Sequence, residues 1–218
     1  MEGDDDNNMM AALKEWAIVC KALEEGRQVL LLRKGGIMEY RQGFEIKHNK
    51  FLLFPTFEHQ SKEYIQPDYI DNLDIILQHQ LTDPYRPTAN SGRNKLTLYA
   101  KVIDVKEVGD KSIIRKLEKY HIWNDRYVNL RMDYNPKKPI SVLLLRVYKM
   151  NNPIEVDIKP EWAGCRSWLS IEFPHMTVNS TSSRDNNGAL NLQQEQEQPV
   201  IENSKFNQIA AEIKEVLN

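Results

Sequence analysis

Two short segments with the same apolar sequence constrain the fold more than any other feature of this 218-residue chain. Residues 29–33 and 142–146 both read VLLLR, and four consecutive apolar residues leave no polar face for solvent. A strand of this kind belongs inside a sheet that is covered on both sides. The residues flanking the two segments share nothing else, so the pair indicates two buried strands and not an internal repeat.

Hydrophobic periodicity and turn residues predict the other elements. Helices are expected over residues 9–26, 67–81, 111–120 and 126–134. Strands are expected over residues 96–108 and 140–150, with a hairpin over 44–54 that turns at 48–50. Gly26 is placed to end the first helix in a left-handed cap, and Asp110 and Asn124 or Asp125 are placed to cap the later ones. The alternation of apolar residues slips at Ile103, which predicts a β-bulge.

These elements predict an α+β fold of two closely packed lobes with a mixed sheet. The lobes are expected over residues 11–88 and 95–174, with the boundary in the proline- and glycine-containing segment 82–95. Residues 176–203 are nearly devoid of aromatic and β-branched side chains, so a disordered linker is expected there. Residues 204–218 have apolar side chains at spacings of three and four, which predicts a short amphipathic helix.

The composition restricts the compartment and the cofactors. No apolar run approaches the ~18 residues of a membrane-spanning helix, and the N-terminal MEGDDDNN is acidic where a secretory signal is basic. We therefore expect a cytoplasmic protein with no membrane partner. Cys20 and Cys165 lie in unrelated contexts, so free thiols are expected, with no zinc site and no cofactor.

The charges are unevenly distributed along the chain. There are 29 basic and 31 acidic residues in total, but acids are concentrated at the two ends. Residues 7–174 therefore carry a surplus of about five positive charges. A mildly cationic body permits an anionic partner such as nucleic acid without requiring one.

The clearest binding candidates are cations near glycines or aromatic residues. Arg33 and Lys34 precede Gly35 and Gly36 at the end of the first VLLLR strand, but no nucleotide-binding glycine motif follows. This segment is either a phosphate contact or a solvated turn. If the segment is a phosphate contact, the side chains of Arg33 and Lys34 are expected in solvent, beside residues 54–60 and 164–168.

Aromatic and basic residues are interspersed in the second lobe, which is typical of surfaces that stack bases and hold phosphates. The set comprises Trp123, Trp162, Trp168, Arg126, Arg131, Lys137, Lys138, Arg146 and Arg166. The tryptophans could equally form core, and Trp168 is expected to do so. The predicted binding residues are Arg33, Lys34, Trp123, Arg126, Trp162 and Arg166.

Two other functions stay open. Glu45 and Lys47 form an E-x-K pattern, and His59 borders an aromatic cluster, so these three could serve a metal-dependent nuclease or phosphodiesterase. His121 also lies among aromatic residues, where a lone histidine is more often structural. Alternatively, the C-terminal helix could dock on a protein partner.

Six ordered segments resemble a bacterial family known only as a domain of unknown function, number eighteen-oh-two. They are ALKEWAIVCKAL, VLLLRKGGI, FLLFPTFEHQ, YHIWNDRYVNLRM, VLLLRVYKM and GCRSWLSI, within about residues 11–173. Members of the family sometimes occur with a restriction-endonuclease-like domain, so the resemblance implies a role in restriction or DNA processing. Residues 95–158 more loosely resemble the PUA-like modules, small barrels that bind RNA or modified bases.

Overall fold

The computed structural model describes residues 9–34, 44–164, 166–172 and 198–218. Its strands are β1 Met9–Trp16, β2 Leu30–Arg33, β3 Lys50–Thr56, β4 Arg93–Val108, β5 Ile140–Asp157, β6 Trp168–Glu172 and β7 Gln198–Pro199. Its α-helices are α1 Ala17–Glu24, α2 Ile70–Thr82, α3 Lys111–Lys116, α4 Asp125–Asp133 and α5 Asn203–Leu217. The mixed α/β architecture confirms the predicted fold class.

The strands form one mixed sheet in the order β2-β5-β4-β3-β1-β6, and β7 pairs with β5. β1 and β3 are parallel, whereas the other pairs are antiparallel. The two VLLLR segments are partners in this sheet, because Leu31 lies opposite Leu143 in the β2–β5 ladder. Both leucines are buried, as the sequence predicted.

The sheet is covered on both faces, and β1 shows this most directly. Leu13 packs into the larger core, which includes α1 and the apolar side of α5. Its neighbour Ala12 packs into a second core with Leu52 and Trp162. Successive side chains of a strand point to opposite faces, so each face of the central strands has its own core.

The N-terminal segment corrects the predicted helix over residues 9–26. Residues 9–16 form β1, and only residues 17–24 are helical. The sequence MMAALKEW is rich in helix-forming residues, but pairing with both β3 and β6 satisfies its backbone as a strand, so tertiary context overrides propensity. The predicted cap is confirmed, because Gly26 has φ +69°. Its N–H donates to Leu23 O and that of Arg27 donates to Ala22 O, forming a Schellman motif.

Gly26→Ala should lower the free energy of unfolding by about 1–2 kcal/mol, because an L-residue is strained at positive φ. An added Cβ would also lie 3.0 Å from Cγ1 of Ile201, in the segment that leads to α5. Chemical denaturation measures the change. Gly109→Ala is the matched control, since a Cβ there meets nothing within 4 Å, and it should stay within about 0.5 kcal/mol. Equal effects of the two substitutions would contradict the argument.

Most other predicted elements are present. The helix over residues 67–81 appears as α2, preceded by a 3₁₀ turn at Pro67–Tyr69. β4 is irregular between Val102 and Asp104, which confirms the bulge at Ile103. The side chain of Asp110 accepts from Ser112 N, and that of Asn124 accepts from Tyr127 N, so both caps form.

The predicted hairpin over residues 44–54 is wrong. Residues 44–48 have no regular structure, and only β3 forms. The segment is instead anchored by Trp168, whose ring stacks on Phe44 and whose Nε1 donates to Glu45 O at 3.0 Å. A side chain thus satisfies a carbonyl that a hairpin ladder would have used.

The amphipathic C-terminal helix is confirmed as α5, and it docks on its own chain. Phe206 and Ile213 are buried in the larger core, and Arg146 lies over the Phe206 ring at 4.4 Å. Glu212 accepts hydrogen bonds from Lys119 and Tyr120, and together with Gln208 these bonds lower its pKa to about 2. Most of the predicted linker, residues 176–197, lies outside the described residues.

Strands β1, β2 and β3, which precede the predicted boundary, and β4, β5 and β6, which follow it, lie in one sheet. The division into two lobes at residues 82–95 stays a prediction. No helix in the described part of the chain combines the length and apolar character that crossing a membrane requires.

Candidate functional site

The candidate site lies where several chain segments meet at the carboxyl ends of the parallel strands β1 and β3. β2 is four strands from β1 in the sheet order, yet Arg33 at its end donates to Lys14 O at 3.3 Å. The sheet is therefore curved enough to return the end of β2 to the end of β1. The start of β6 reaches the same place, because Trp168 lies opposite Leu13.

These segments enclose a cavity of about 260 Å³, which we call the Trp16 pocket. Its lining comprises the aromatic residues Trp16, Trp123 and Tyr127, the cations Lys14, Arg33, Arg131 and Arg166, and Glu15, Thr56 and Ser167. Four basic side chains against one acid make this an electropositive pocket with aromatic walls. Three of the six predicted binding residues, Arg33, Trp123 and Arg166, are brought together here.

The aromatic wall is built from Trp16 at the end of β1, Trp123 just before α4 and Tyr127 near the start of α4. Trp123 and Tyr127 stack with their ring centres 3.7 Å apart, and the Trp16 ring meets Trp123 edge-on at 5.1 Å. Trp123 is buried, whereas Trp16 is only half-buried. Tyr127 is also half-buried, so Trp16 and Tyr127 are the two rings of this wall that a ligand can meet.

Arg33 and Lys34 are not the solvent-exposed pair that the sequence predicted. Arg33 Nη1 lies 2.9 Å from Glu15 Oε2, and the two side chains are only 17% and 8% exposed. Lys34 is buried, and its Nζ donates to Met132 O at 2.6 Å. The curvature of the sheet brings Arg33 against β1, whereas Lys34 is buried against α4.

Arg131 contributes a cation to the pocket from α4. Its guanidinium lies 6.0 Å from the centre of the Tyr127 ring. Its Nε is buried and has no hydrogen-bond partner within the described ranges. Burial lowers the pKa of Lys34, and the nearby charges of Arg131 and Lys111 lower it further against the opposing effect of Asp133.

The other two arginines predicted to bind are both exposed but differ in position. Arg166 precedes β6 and lines the Trp16 pocket. Arg126 is on α4, does not line this pocket, and forms an exposed ion pair with Glu63 at 3.0 Å. The structure therefore separates Arg126 from the site.

A second cavity, the His59 pocket, adjoins the first and also measures about 260 Å³. The two cavities share Lys14, Trp16 and Thr56. The His59 pocket is also lined by Phe54, Pro55, Phe57, Glu58, His59, Pro87, Thr88, Ala89, Ile158, Trp162 and Gly164. His59 has a φ of +62°, a strained value for a non-glycine residue of the kind that clusters at functional sites.

Trp162 is mainly a core residue. Its side chain is 9% exposed and packs edge-on against Phe54, with the ring centres 5.7 Å apart. Only the small exposed part of Trp162 therefore lines the His59 pocket. Lys14 fixes this part of the chain, because its Nζ donates to the carbonyl oxygens of Trp162 and Gly164 at 2.7 and 2.9 Å.

The three residues of the nuclease hypothesis are not gathered in either pocket. His59 lines the second pocket, whereas Glu45 and Lys47 line neither and are exposed in the segment beside Trp168. Within the described residues, no group of three or more His, Cys, Asp and Glu side chains is arranged to hold a metal ion.

His121 is a buried structural histidine behind the aromatic wall. Its Nδ1 accepts from Trp123 N at 3.2 Å, and its Nε2 faces Ile114 O at 3.4 Å. The imidazole is therefore neutral with its proton on Nε2. Burial lowers its pKa to about 4.

Sequence reasoning missed Trp16 because that residue was assigned to the predicted helix over residues 9–26. Arg131 was among the basic residues of the second lobe, but nothing in the sequence distinguished it from its neighbours. Tyr127 carried no signal at all. Their shared position depends on the pairing of β1 with β3 and the curvature of the sheet, which local patterns do not reveal.

No curated protein and no solved structure matches this chain. Nothing bears on the PUA-like layout, which stays a prediction. A family model does match over residues 12–212, which is most of the chain and extends past the predicted resemblance into α5. The chain therefore belongs to the family described as a domain of unknown function, DUF1802.

Proposed function

We propose that this protein binds nucleic acid through the Trp16 pocket and acts as a nucleic-acid-contacting or accessory module. The observation that carries the proposal is the convergence of three aromatic rings and four basic side chains on one cavity. Aromatic faces stack bases of any sequence, and cations bind the phosphates that connect them. Arg166 is exposed and the Trp16 and Tyr127 rings are half-buried, so these three side chains are accessible to a ligand.

The size of the pocket favours unpaired nucleotides. Pockets for small ligands typically measure about 300–1,000 Å³, so a cavity of about 260 Å³ accommodates one small unit and no duplex. Single-stranded segments and extruded bases are the forms of nucleic acid that present such a unit. The family resemblance supports a role for this protein in DNA or RNA processing. We propose that the protein acts in the cytoplasm.

The binding test is a fluorescence-anisotropy titration with single-stranded and duplex DNA and RNA. We expect single strands to bind with micromolar or tighter affinity at ~50 mM salt and more weakly at ~200 mM, because phosphate binding releases counterions. Duplexes of the same length should bind more weakly. Failure to see any salt-dependent binding of this strength would refute the proposal.

Two arginines provide a matched pair of variants in the same titration. Arg166→Ala removes an exposed cation from the pocket and should weaken binding about threefold to tenfold without regard to sequence. Arg126→Ala removes an exposed cation outside the pocket, and its affinity should stay within about twofold of the wild type. The reverse ranking would place binding on the outer surface of α4 instead.

A further inference from the structure

We infer that Arg131 binds a phosphate group of one unpaired nucleotide in the Trp16 pocket, so that the pocket takes a nucleoside monophosphate unit. This inference rests on the proposed function and names the residue and the ligand unit that it requires. Arg131 belonged to the aromatic and basic set of the second lobe but not to the six predicted binding residues.

Arg131 has a hydrogen-bond donor that is left unsatisfied. Its Nε is buried without a hydrogen-bond partner in the described part of the chain. Buried donors in folded proteins are nearly always paired, and leaving one unpaired is unfavourable. A phosphate oxygen is an acceptor that the guanidinium recognises through several donors at once. A phosphate in the pocket would neutralise the charge, and it would pair the donor once the guanidinium turns its Nε, which is closed to solvent in this structure, towards the ligand.

Two other cations of the pocket, Arg33 and Lys14, already have partners. Arg33 is paired with the buried carboxylate of Glu15. Lys14 donates to the backbone oxygens of Trp162 and Gly164. Arg131 lies instead near the buried Lys34, a charge of its own sign, and the acid near Lys34, Asp133, is already paired with Lys111 at 2.7 Å. This surplus of positive charge at one end of the pocket favours an anion there.

The aromatic wall begins directly beside Arg131. The guanidinium lies over Tyr127, which stacks on Trp123, and Trp123 in turn meets Trp16. The cation and the half-buried Trp16 ring thus line the same small cavity. A ligand that joins an anionic group to a planar base matches both ends, whereas a bare anion matches only one.

The experiment compares adenosine 5′-monophosphate, adenosine and inorganic phosphate as probes in calorimetric titrations of the full chain. We expect the monophosphate to bind at least tenfold more tightly than either fragment. Arg131→Met should weaken monophosphate binding at least tenfold, whereas Arg126→Met on the same helix should leave it unchanged. Without ligand, Arg131→Met should melt at the wild-type temperature or higher, because the substitution removes an unsatisfied donor.

Arg131→Lys is the second variant, and it guards against a loss of binding that merely reflects misfolding. It keeps the charge but not the planar set of donors, so we expect an affinity between those of the wild type and Arg131→Met. Equal binding of monophosphate by wild type and Arg131→Met would overturn the inference. So would a melting temperature of Arg131→Met far below that of the wild type, since the side chain would then be structural.

The oligonucleotide titrations separate this inference from the proposed function. If single strands bind with salt dependence and Arg131→Met binds them equally well, the role of Arg131 is overturned and the proposed function stands. If the monophosphate binds through Arg131 but no oligonucleotide binds, the proposed function fails and the pocket is a site for free nucleotides.

Discussion

Arg33→Ala is expected to lower the free energy of unfolding by about 3 kcal/mol, because it leaves the nearly buried carboxylate of Glu15 without its cation. Glu15 Oε1 still accepts from Trp16 N at 3.0 Å, but Oε2 loses its only ion pair at 2.9 Å within the described residues. Removing one partner of a buried pair is far more harmful than replacing both. Urea denaturation at neutral pH measures the change.

Two further variants test this explanation of the Arg33 effect. Arg126→Ala breaks the exposed pair with Glu63, whose side chains are 68% and 41% exposed, and should cost no more than about 0.5 kcal/mol. The double substitution of Arg33 by Met and Glu15 by Gln removes both charges and should recover most of the stability lost in Arg33→Ala. If Arg33→Ala were as mild as Arg126→Ala, the buried pair would not support the pocket.

Acid should destabilise the protein through His121, with a loss of about 3 kcal/mol attributable to this residue. The folded-state pKa of about 4 lies below the ordinary value of 6.5, so the unfolded chain binds a proton more readily. The stabilisation by neutral His121 is therefore complete above pH 6.5, declines as the pH falls, and is lost near pH 4. Protonation of Nδ1 would also break the hydrogen bond from Trp123 N.

The measurement is the free energy of unfolding at several values between pH 7 and pH 4 for wild type and His121→Asn. The variant does not titrate at this position, so its curve should fall less steeply, and subtraction removes the contribution of the carboxylates. His79→Asn changes an exposed histidine on α2 and should follow the wild-type curve. Parallel curves for wild type and His121→Asn would contradict the account.

The sequence was most informative where adjacent residues determine the local structure. The VLLLR segments had to be buried strands whatever their partners, and the bulge at Ile103 follows from a slip in alternation. The caps at Gly26 and Asp110 depend on a few adjacent residues. That the two VLLLR segments pair with one another could not be predicted, because register is set by the whole sheet.

The failures share a non-local cause. The strand β1 has a helix-forming sequence, and only its pairing with β3 and β6 makes it extended. Residue types selected Arg33, Trp123 and Arg166 as binding residues, and the structure brings these three to one pocket, but no pattern indicated that Glu15 would neutralise Arg33. Trp16 and Arg131 complete the pocket from distant parts of the chain, and no local pattern connects them.

Photo-crosslinking of a single-stranded oligonucleotide that carries 4-thiouridine tests the central claim most directly, because mass spectrometry identifies the residues that the base contacts. We expect crosslinked peptides to contain Trp16, Trp123 or Tyr127, and adenosine 5′-monophosphate in excess to suppress them. Crosslinks confined to surfaces outside the Trp16 pocket, such as the exposed face of α4 around Arg126, would contradict the assignment of this pocket as the nucleic-acid site.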